Sequence, residues 1–310
     1  MSPTTRSTTV TSDGARLAVY STGAEDAPVT AILVHGLLES AAAWRLQSHH
    51  LAERGYRVVR YDQRAHGHST PGRDPVTVDR LGADLARVIA ETAPEGPLVL
   101  AGHSLGGMAI QTLAARHPHL LRARHPHVAL VSTACTSVTY APGHRPLDWA
   151  TGLARAARVY PICWMPSAAD RVRRRLPETH LWALRPDTPR DLSVPPACRK
   201  AIHHTASEPI VTLWRSLRAF NTTGALHALN HLRDRVEILT GACDDMIPMP
   251  KTQQLTQALP NARLHEPVPG ARHRLPTDRN GRAAVTEILT RMCDSTTPSL
   301  TSAGSDLLAG

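Results

Sequence analysis

Short apolar runs recur along the first 136 residues, and stripes of apolar residues at helical spacing fall between them. Ala31-Ile32-Leu33-Val34 is continuously apolar, as a strand buried on both faces must be. Tyr56–Tyr61, Pro97–Ala101 and Val128–Ser132 repeat that signal. Between them, Ala42–Arg54, Asp74–Thr92 and Met108–Ala115 read as helices. The second carries Val78, Leu81, Leu85, Val88 and Ile89 on one face. Ahead of all of these, Val10–Tyr20 reads as a hairpin turning at Asp13-Gly14. Strands alternating with amphipathic helices predict an α/β fold with a mostly parallel sheet. In such sheets ligands bind beyond the carboxyl ends of the strands.

The rhythm breaks near Thr136. From there to about Arg235 the chain holds helix-like pieces, many prolines and four of its five tryptophans (Trp149, Trp164, Trp182, Trp214). It resumes with the strands Val236–Thr240 and Arg263–Val268. The expected organisation is a core in two parts, residues 1–136 and 236–293, interrupted by a helical insertion, 137–235. The insertion leaves the sheet at the edge where ligands bind, so it is read as a cap over the strand ends rather than as part of one α-rich lobe. The last stretch, 294–310, is rich in Ser, Thr, Ala and Gly and reads as a disordered tail.

Composition narrows the function. Of 310 residues, 42% are hydrophobic, enough for a sizeable core, and a single Phe makes that core aliphatic. The net charge of +9 comes from arginines spread along the chain, with only Lys200 and Lys251 as lysines, which argues against a nucleic-acid partner. The densest cluster (Arg171, Arg173, Arg174, Arg175) reads as a solvated helix face, with attraction of an acidic substrate as the sharper alternative. No apolar run approaches the roughly 20 residues of a membrane span, and the polar N-terminus lacks the apolar segment of a signal peptide. No membrane partner and a cytoplasmic location are therefore expected. The five cysteines are scattered without a C-x-x-C, and the 18 histidines show no metal-binding spacing. No metal or other cofactor is expected. The repeat of Arg-His-Pro-His at 116–119 and 124–127 is taken as a local coincidence.

The chemistry lies in Gly102-His103-Ser104-Leu105-Gly106-Gly107, between an apolar strand and a helix. A serine there occupies a tight turn with its hydroxyl above the sheet, and the glycines avoid collision with the flanking strand and helix. Serine needs a base, and the base needs an orienting carboxylate; both are expected at later strand ends. Asp244, just past Val236–Thr240, is the chosen acid, with Asp245 as the alternative. One of these aspartates could equally cap the helix that starts near Pro248. His273, after the last strand, is the chosen base. The Leu105 N–H and the Leu37 N–H in His35-Gly36-Leu37-Leu38 are the expected oxyanion donors. His35 is read as a structural residue bonding the loop backbone.

These segments, with Asp62-Gln63-Arg64-Ala65-His66-Gly67-His68-Ser69, resemble the α/β-hydrolase superfamily over about residues 10–290. The resemblance implies the α/β-hydrolase fold: a mostly parallel eight-stranded sheet flanked by helices, a cap insertion, and Ser104, Asp244 and His273 as a triad. Two positions depart from the family pattern. Arg272 stands where a Gly commonly precedes the His, and Ala65 replaces a frequent Gly. Serine at 104 separates the chain from relatives of this fold that use Asp there, the epoxide hydrolases and haloalkane dehalogenases. The expected activity is hydrolysis of a carboxylic ester, lactone or thioester of small to medium, hydrophobic character. The same triad also serves C–C bond hydrolysis, acyl transfer, and cofactor-free perhydrolysis of the haloperoxidase type. A non-catalytic binding or biosynthetic role on the same scaffold is the third reading.

Overall fold

All five residues of Thr30–Val34 are buried, and their side chains divide alternately between two cores. Ile32 and Val34 pack with Leu85, Ile110 and Leu113 on one face, while Ala31 and Leu33 pack with Leu51, Val285 and Leu289 on the other. This is the period-2 alternation of a strand covered on both sides. The computed structural model describes residues 3–137, 165–175 and 207–297.

Eight strands form one sheet: β1 (Thr4–Val10), β2 (Arg16–Thr22), β3 (Thr30–Val34), β4 (Arg57–Tyr61), β5 (Leu98–His103), β6 (His127–Val131), β7 (Val236–Leu239) and β8 (Arg263–Leu264). Their order is β1-β2-β4-β3-β5-β6-β7-β8. β2 pairs antiparallel with β1 and β4, and every other neighbouring pair is parallel. The hairpin is as expected, with Gly14 at φ 84°. The described α-helices are α1 (Arg45–Glu53), α2 (Val78–Thr92), α3 (Leu105–Arg116), α4 (Pro118–Arg124), α5 (Pro166–Arg175), α6 (Ser207–Arg218), α7 (His227–Asn230), α8 (Met249–Ala258) and α9 (Arg282–Thr296), and short 3-10 turns lie at Ala41–Trp44 and Arg233–Arg235. α2 and α3 cover one face of the sheet; α1 and α9 cover the other.

Some boundaries differ from those expected. α2 starts at Val78 rather than Asp74, because the Thr77 hydroxyl caps it by accepting the Arg80 N–H at 3.2 Å. The strand expected over 263–268 shortens to Arg263–Leu264 with one further bridge, Gly241 to Val268. Pro267 lacks the N–H that a continuous ladder needs. α4 was not expected; it starts at Pro118 within the first Arg-His-Pro-His, where proline's fixed φ suits a helix's first turn. α9 runs through residues 294–296, where a disordered tail was expected, and Asp294 accepts hydrogen bonds from Tyr56 and Arg54. The remainder of that tail, from 298, lies outside the described residues.

Within the stretch 137–235, where an insertion is expected, residues 138–164 and 176–206 likewise lie outside the described residues, and with them Trp149, Trp164 and Trp182. α5 and α6 are joined where the Asp170 carboxylate accepts the Ser207 N–H at 3.1 Å and its hydroxyl at 2.5 Å. α6 rests on α2, where the Ser216 hydroxyl accepts the Val78 N–H at 3.1 Å. Leu226, Leu229 and Leu232 join the same core as α3.

Arg64 is wholly buried and ties the β1–β2 turn to α2. Its guanidinium donates to Asp13 at 2.8 Å and to both Asp84 oxygens at 2.6 Å.

Candidate active site

Ser104 lies between β5 and α3, with φ 51° and ψ −114°. A non-glycine residue reaches this region only when its surroundings hold it there, at a cost on the order of 1–3 kcal/mol. The Ser104 N–H donates to Val131 O at 2.9 Å, and its carbonyl accepts the Thr133 hydroxyl at 2.7 Å. Two glycines make the turn possible. A Cβ on Gly102 would stand 2.4 Å from the Gly106 carbonyl carbon, and one on Gly106 would stand 2.2 Å from Val34 O. Both distances are far inside van der Waals contact, so the strand, turn and helix close up only with glycine at these positions.

The expected acid and base come to the same serine. His273 Nε2 lies 3.0 Å from Ser104 Oγ, and its Nδ1 lies 3.0 and 3.1 Å from the two Asp244 oxygens. Asp244 is buried and also accepts the Met246 and Ile247 N–H groups at 2.9 and 2.8 Å. Burial opposes its charge. The His273 charge and hydrogen bond and the two N–H donors outweigh that and hold its carboxyl below the usual range. Asp245 is exposed, and the carboxylate that meets His273 Nδ1 is that of Asp244. Neither aspartate caps α8, whose first residue follows Pro248 without a side-chain cap. Asp244 thus both faces His273 and braces the turn.

Leu105 opens α3, so its N–H has no acceptor within the helix. Leu37 follows Gly36 at the end of β3, and the close approach of Gly106 to Val34 sets these two segments side by side. Around them lies an apolar cluster: Leu105, Met108 and Ile247 from the core, with Leu213 and Leu217 of α6. Leu37 and Trp214 pack against it and are only half-buried. α6 therefore adds Trp214 to the outside of the cluster that contains Leu105.

His35 bonds the loop backbone as expected: its Nε2 accepts the Gln63 N–H at 2.9 Å and its Nδ1 lies 2.8 Å from Gly36 O. Arg272 is exposed. Ala65 retains the left-handed conformation that glycine favours, with φ 61°. Among the described residues, no group of three or more His, Cys, Asp and Glu could hold a metal ion. No described helix is long and apolar enough to cross a membrane. A cavity of about 300 Å³ lined by Thr11, Arg64, Arg80, Asp84 and Arg87 shares no residue with the serine site.

Sequence reasoning missed the layer beneath His273. His103 is buried, with Nδ1 3.1 Å from Glu39 Oε2 and Nε2 2.8 Å from the His273 carbonyl oxygen. Glu39 is buried too; it accepts the Gly36 N–H at 2.9 Å and lies 3.5 Å from Arg274 Nε. The available signal was a carboxylate in the loop after β3 and a histidine at the end of the adjacent strand β5.

The model of the family described as alpha/beta hydrolase fold matches residues 31–275. A protein of Mycobacterium phage D29 named as a non-heme haloperoxidase is 38% identical over 115 residues, 36% of this chain and 39% of that protein. A bifunctional esterase/perhydrolase of Acinetobacter calcoaceticus is 35% identical over 109 residues, 35% of this chain and 39% of that protein. The chain thus spans about two fifths of the length of these curated relatives. Among solved structures, a thermophilic esterase from Thermogutta terrifontis superposes with a TM-score of 0.67 at 20% identity. That match covers 96% of this chain and all of the other, and it shows a shared fold.

Proposed function

The chain belongs to the α/β-hydrolase family, and from that premise we propose that it is a serine hydrolase cleaving a carboxylic ester, lactone or thioester. The observation that carries this reading is the unbroken line from Asp244 through His273 to Ser104 Oγ, with both contacts at 3.0 Å. In this reading His273 holds its proton on Nδ1, facing the Asp244 carboxylate, which leaves Nε2 free to take the Ser104 proton. Ser104 Oγ attacks the substrate carbonyl carbon. The Leu37 and Leu105 N–H groups stabilise the oxyanion, and the positive end of α3 adds to their field. His273 then protonates the leaving group, and a water activated by the same nitrogen releases the acyl group from Ser104.

The half-buried Leu37 and Trp214 beside the apolar cluster support a hydrophobic acyl substrate of small to medium size. α5 and α6 support a cap formed by the insertion, since Leu213 and Leu217 of α6 share an apolar cluster with Leu105 and Trp214 packs against it. A second reading, perhydrolysis on the same triad, rests on the esterase/perhydrolase name of one relative. A panel of p-nitrophenyl esters, a diketone, and acetate with peroxide separates the two. Ester turnover that disappears in Ser104→Ala supports the first. Oxidation of a halide in the presence of acetate and peroxide, without ester turnover, supports the second. Ester turnover equal in the wild type and Ser104→Ala overturns both.

A further inference from the structure

The ring of His103 faces two acceptors. Nδ1 points to the Glu39 carboxylate at 3.1 Å and Nε2 to the backbone carbonyl of His273 at 2.8 Å. A neutral imidazole has one N–H and can satisfy only one of them. Glu39 does not supply the missing proton. It accepts the Gly36 N–H and faces Arg274 at 3.5 Å, so its surroundings favour the anion. A Cβ on Gly36 would stand 2.8 Å from His103 Nδ1 and 3.1 Å from Glu39 Oε2, so the pair occupies space that only a glycine leaves.

We infer that His103 is a positioning residue, held as an imidazolium between Glu39 and the His273 carbonyl, that fixes the backbone of the catalytic base at its distance from Ser104. The inference rests on the proposed role of Ser104 and His273 for its catalytic consequence, while the protonation state of His103 stands apart from it. The titratable and charged groups around the ring are Glu39 from the loop after β3, Arg274, His35 at the end of β3, which burial keeps neutral, and the His273 ring, whose centroid lies 5.0 Å away. Burial and Arg274 oppose a charge on His103. Glu39, through its charge and hydrogen bond, and the His273 carbonyl outweigh them and raise its proton affinity above the ordinary histidine range. A group so raised keeps its charge to higher pH than an ordinary histidine and loses it as the pH climbs through the raised value. One N–H is then lost, and with it the tie to either Glu39 or His273. The consequence is a falling alkaline limb in the activity profile that belongs to His103 and not to the base itself.

The test uses the full-length protein with ¹⁵N-labelled histidine, titrated by NMR from mildly acidic to alkaline pH, beside pH profiles of kcat and KM. In the wild type, one buried histidine should keep both ring nitrogens protonated at neutral pH, and its signal should be missing in His103→Gln. In Glu39→Gln, the same histidine should lose its proton at lower pH. The alkaline limb of kcat should move with it, KM changing little and kcat falling about 10- to 100-fold at neutral pH, as for a slight misplacement of a catalytic group. A drop that is equal at every pH would mark a merely structural role and overturn the positioning claim. A His103 that is neutral in the wild type at neutral pH would overturn the imidazolium, even in a protein whose Ser104 proves unreactive.

Discussion

Replacing Asp244 with Asn asks how much of the chemistry depends on one buried carboxylate. The substitution keeps the shape and one carbonyl oxygen, so the Met246 and Ile247 N–H bonds at 2.9 and 2.8 Å can persist. What changes is the atom facing His273 Nδ1. In one orientation an amide N–H meets that nitrogen, which must then be the unprotonated one. The proton moves to Nε2, 3.0 Å from Ser104 Oγ, where an acceptor is needed. Loss of the correct tautomer in a triad of this kind costs about 10⁴ in kcat, a barrier increase of about 5 kcal/mol. KM should change little, since Asp244 is only 8% exposed and lies behind the histidine. The folded state should also change its acid response. The Asp244 carboxyl is held below its ordinary range, so its contribution to stability is present above the unfolded-state value and is lost as the pH falls through the folded one. Asp244→Asn should therefore flatten acid unfolding in that window. The assay is p-nitrophenyl ester turnover across pH, with urea unfolding at neutral and acidic pH as the control for folding. A kcat within about tenfold of wild type in a folded Asn variant would refute the assignment. A larger loss in Asp245→Asn than in Asp244→Asn would shift it to the neighbouring aspartate.

Three further outcomes test how the fold holds the site. Gly106→Ala places a methyl group 2.2 Å from Val34 O, so the turn must open; urea unfolding should show a loss of about 1–3 kcal/mol, with activity falling further as the two proposed oxyanion donors separate. Arg64→Met leaves Asp13 and Asp84 buried without their cation, and the unfolding free energy should drop by about 3–5 kcal/mol. Ala65→Gly removes the strain of an L-residue at φ 61°, worth about 1–2 kcal/mol, against a backbone-entropy cost of about 0.5–1 kcal/mol. A small rise in thermal midpoint with unchanged kcat is expected, and a fall would contradict that balance.

The sheet and its serine turn were legible because they rest on local rules. Continuous apolar runs mark β3 and β5, and glycines flank a serine at a strand-to-helix junction. Asp244 and His273 were legible by position, each just past a strand end. Other features depend on contacts that spacing does not encode. The start of α2 is set by the Thr77 hydroxyl, not by the apolar stripe, and β8 stops early because Pro267 has no N–H to give. The choice between Asp244 and Asp245 is a matter of loop geometry, since neighbouring residues point in different directions. Glu39 and His103 lie 64 positions apart, and neither belongs to an amphipathic pattern. Their pairing appears only once β3 and β5 stand side by side in the sheet.

The central claim is that Ser104 is the nucleophile, activated by His273. The most direct measurement is to treat the protein with a fluorophosphonate and locate the adduct by peptide mass spectrometry. One phosphonyl group on the peptide containing Ser104, absent in Ser104→Ala and strongly slowed in His273→Gln, is the predicted result. An adduct on another residue, or labelling that persists unchanged in Ser104→Ala, would contradict it.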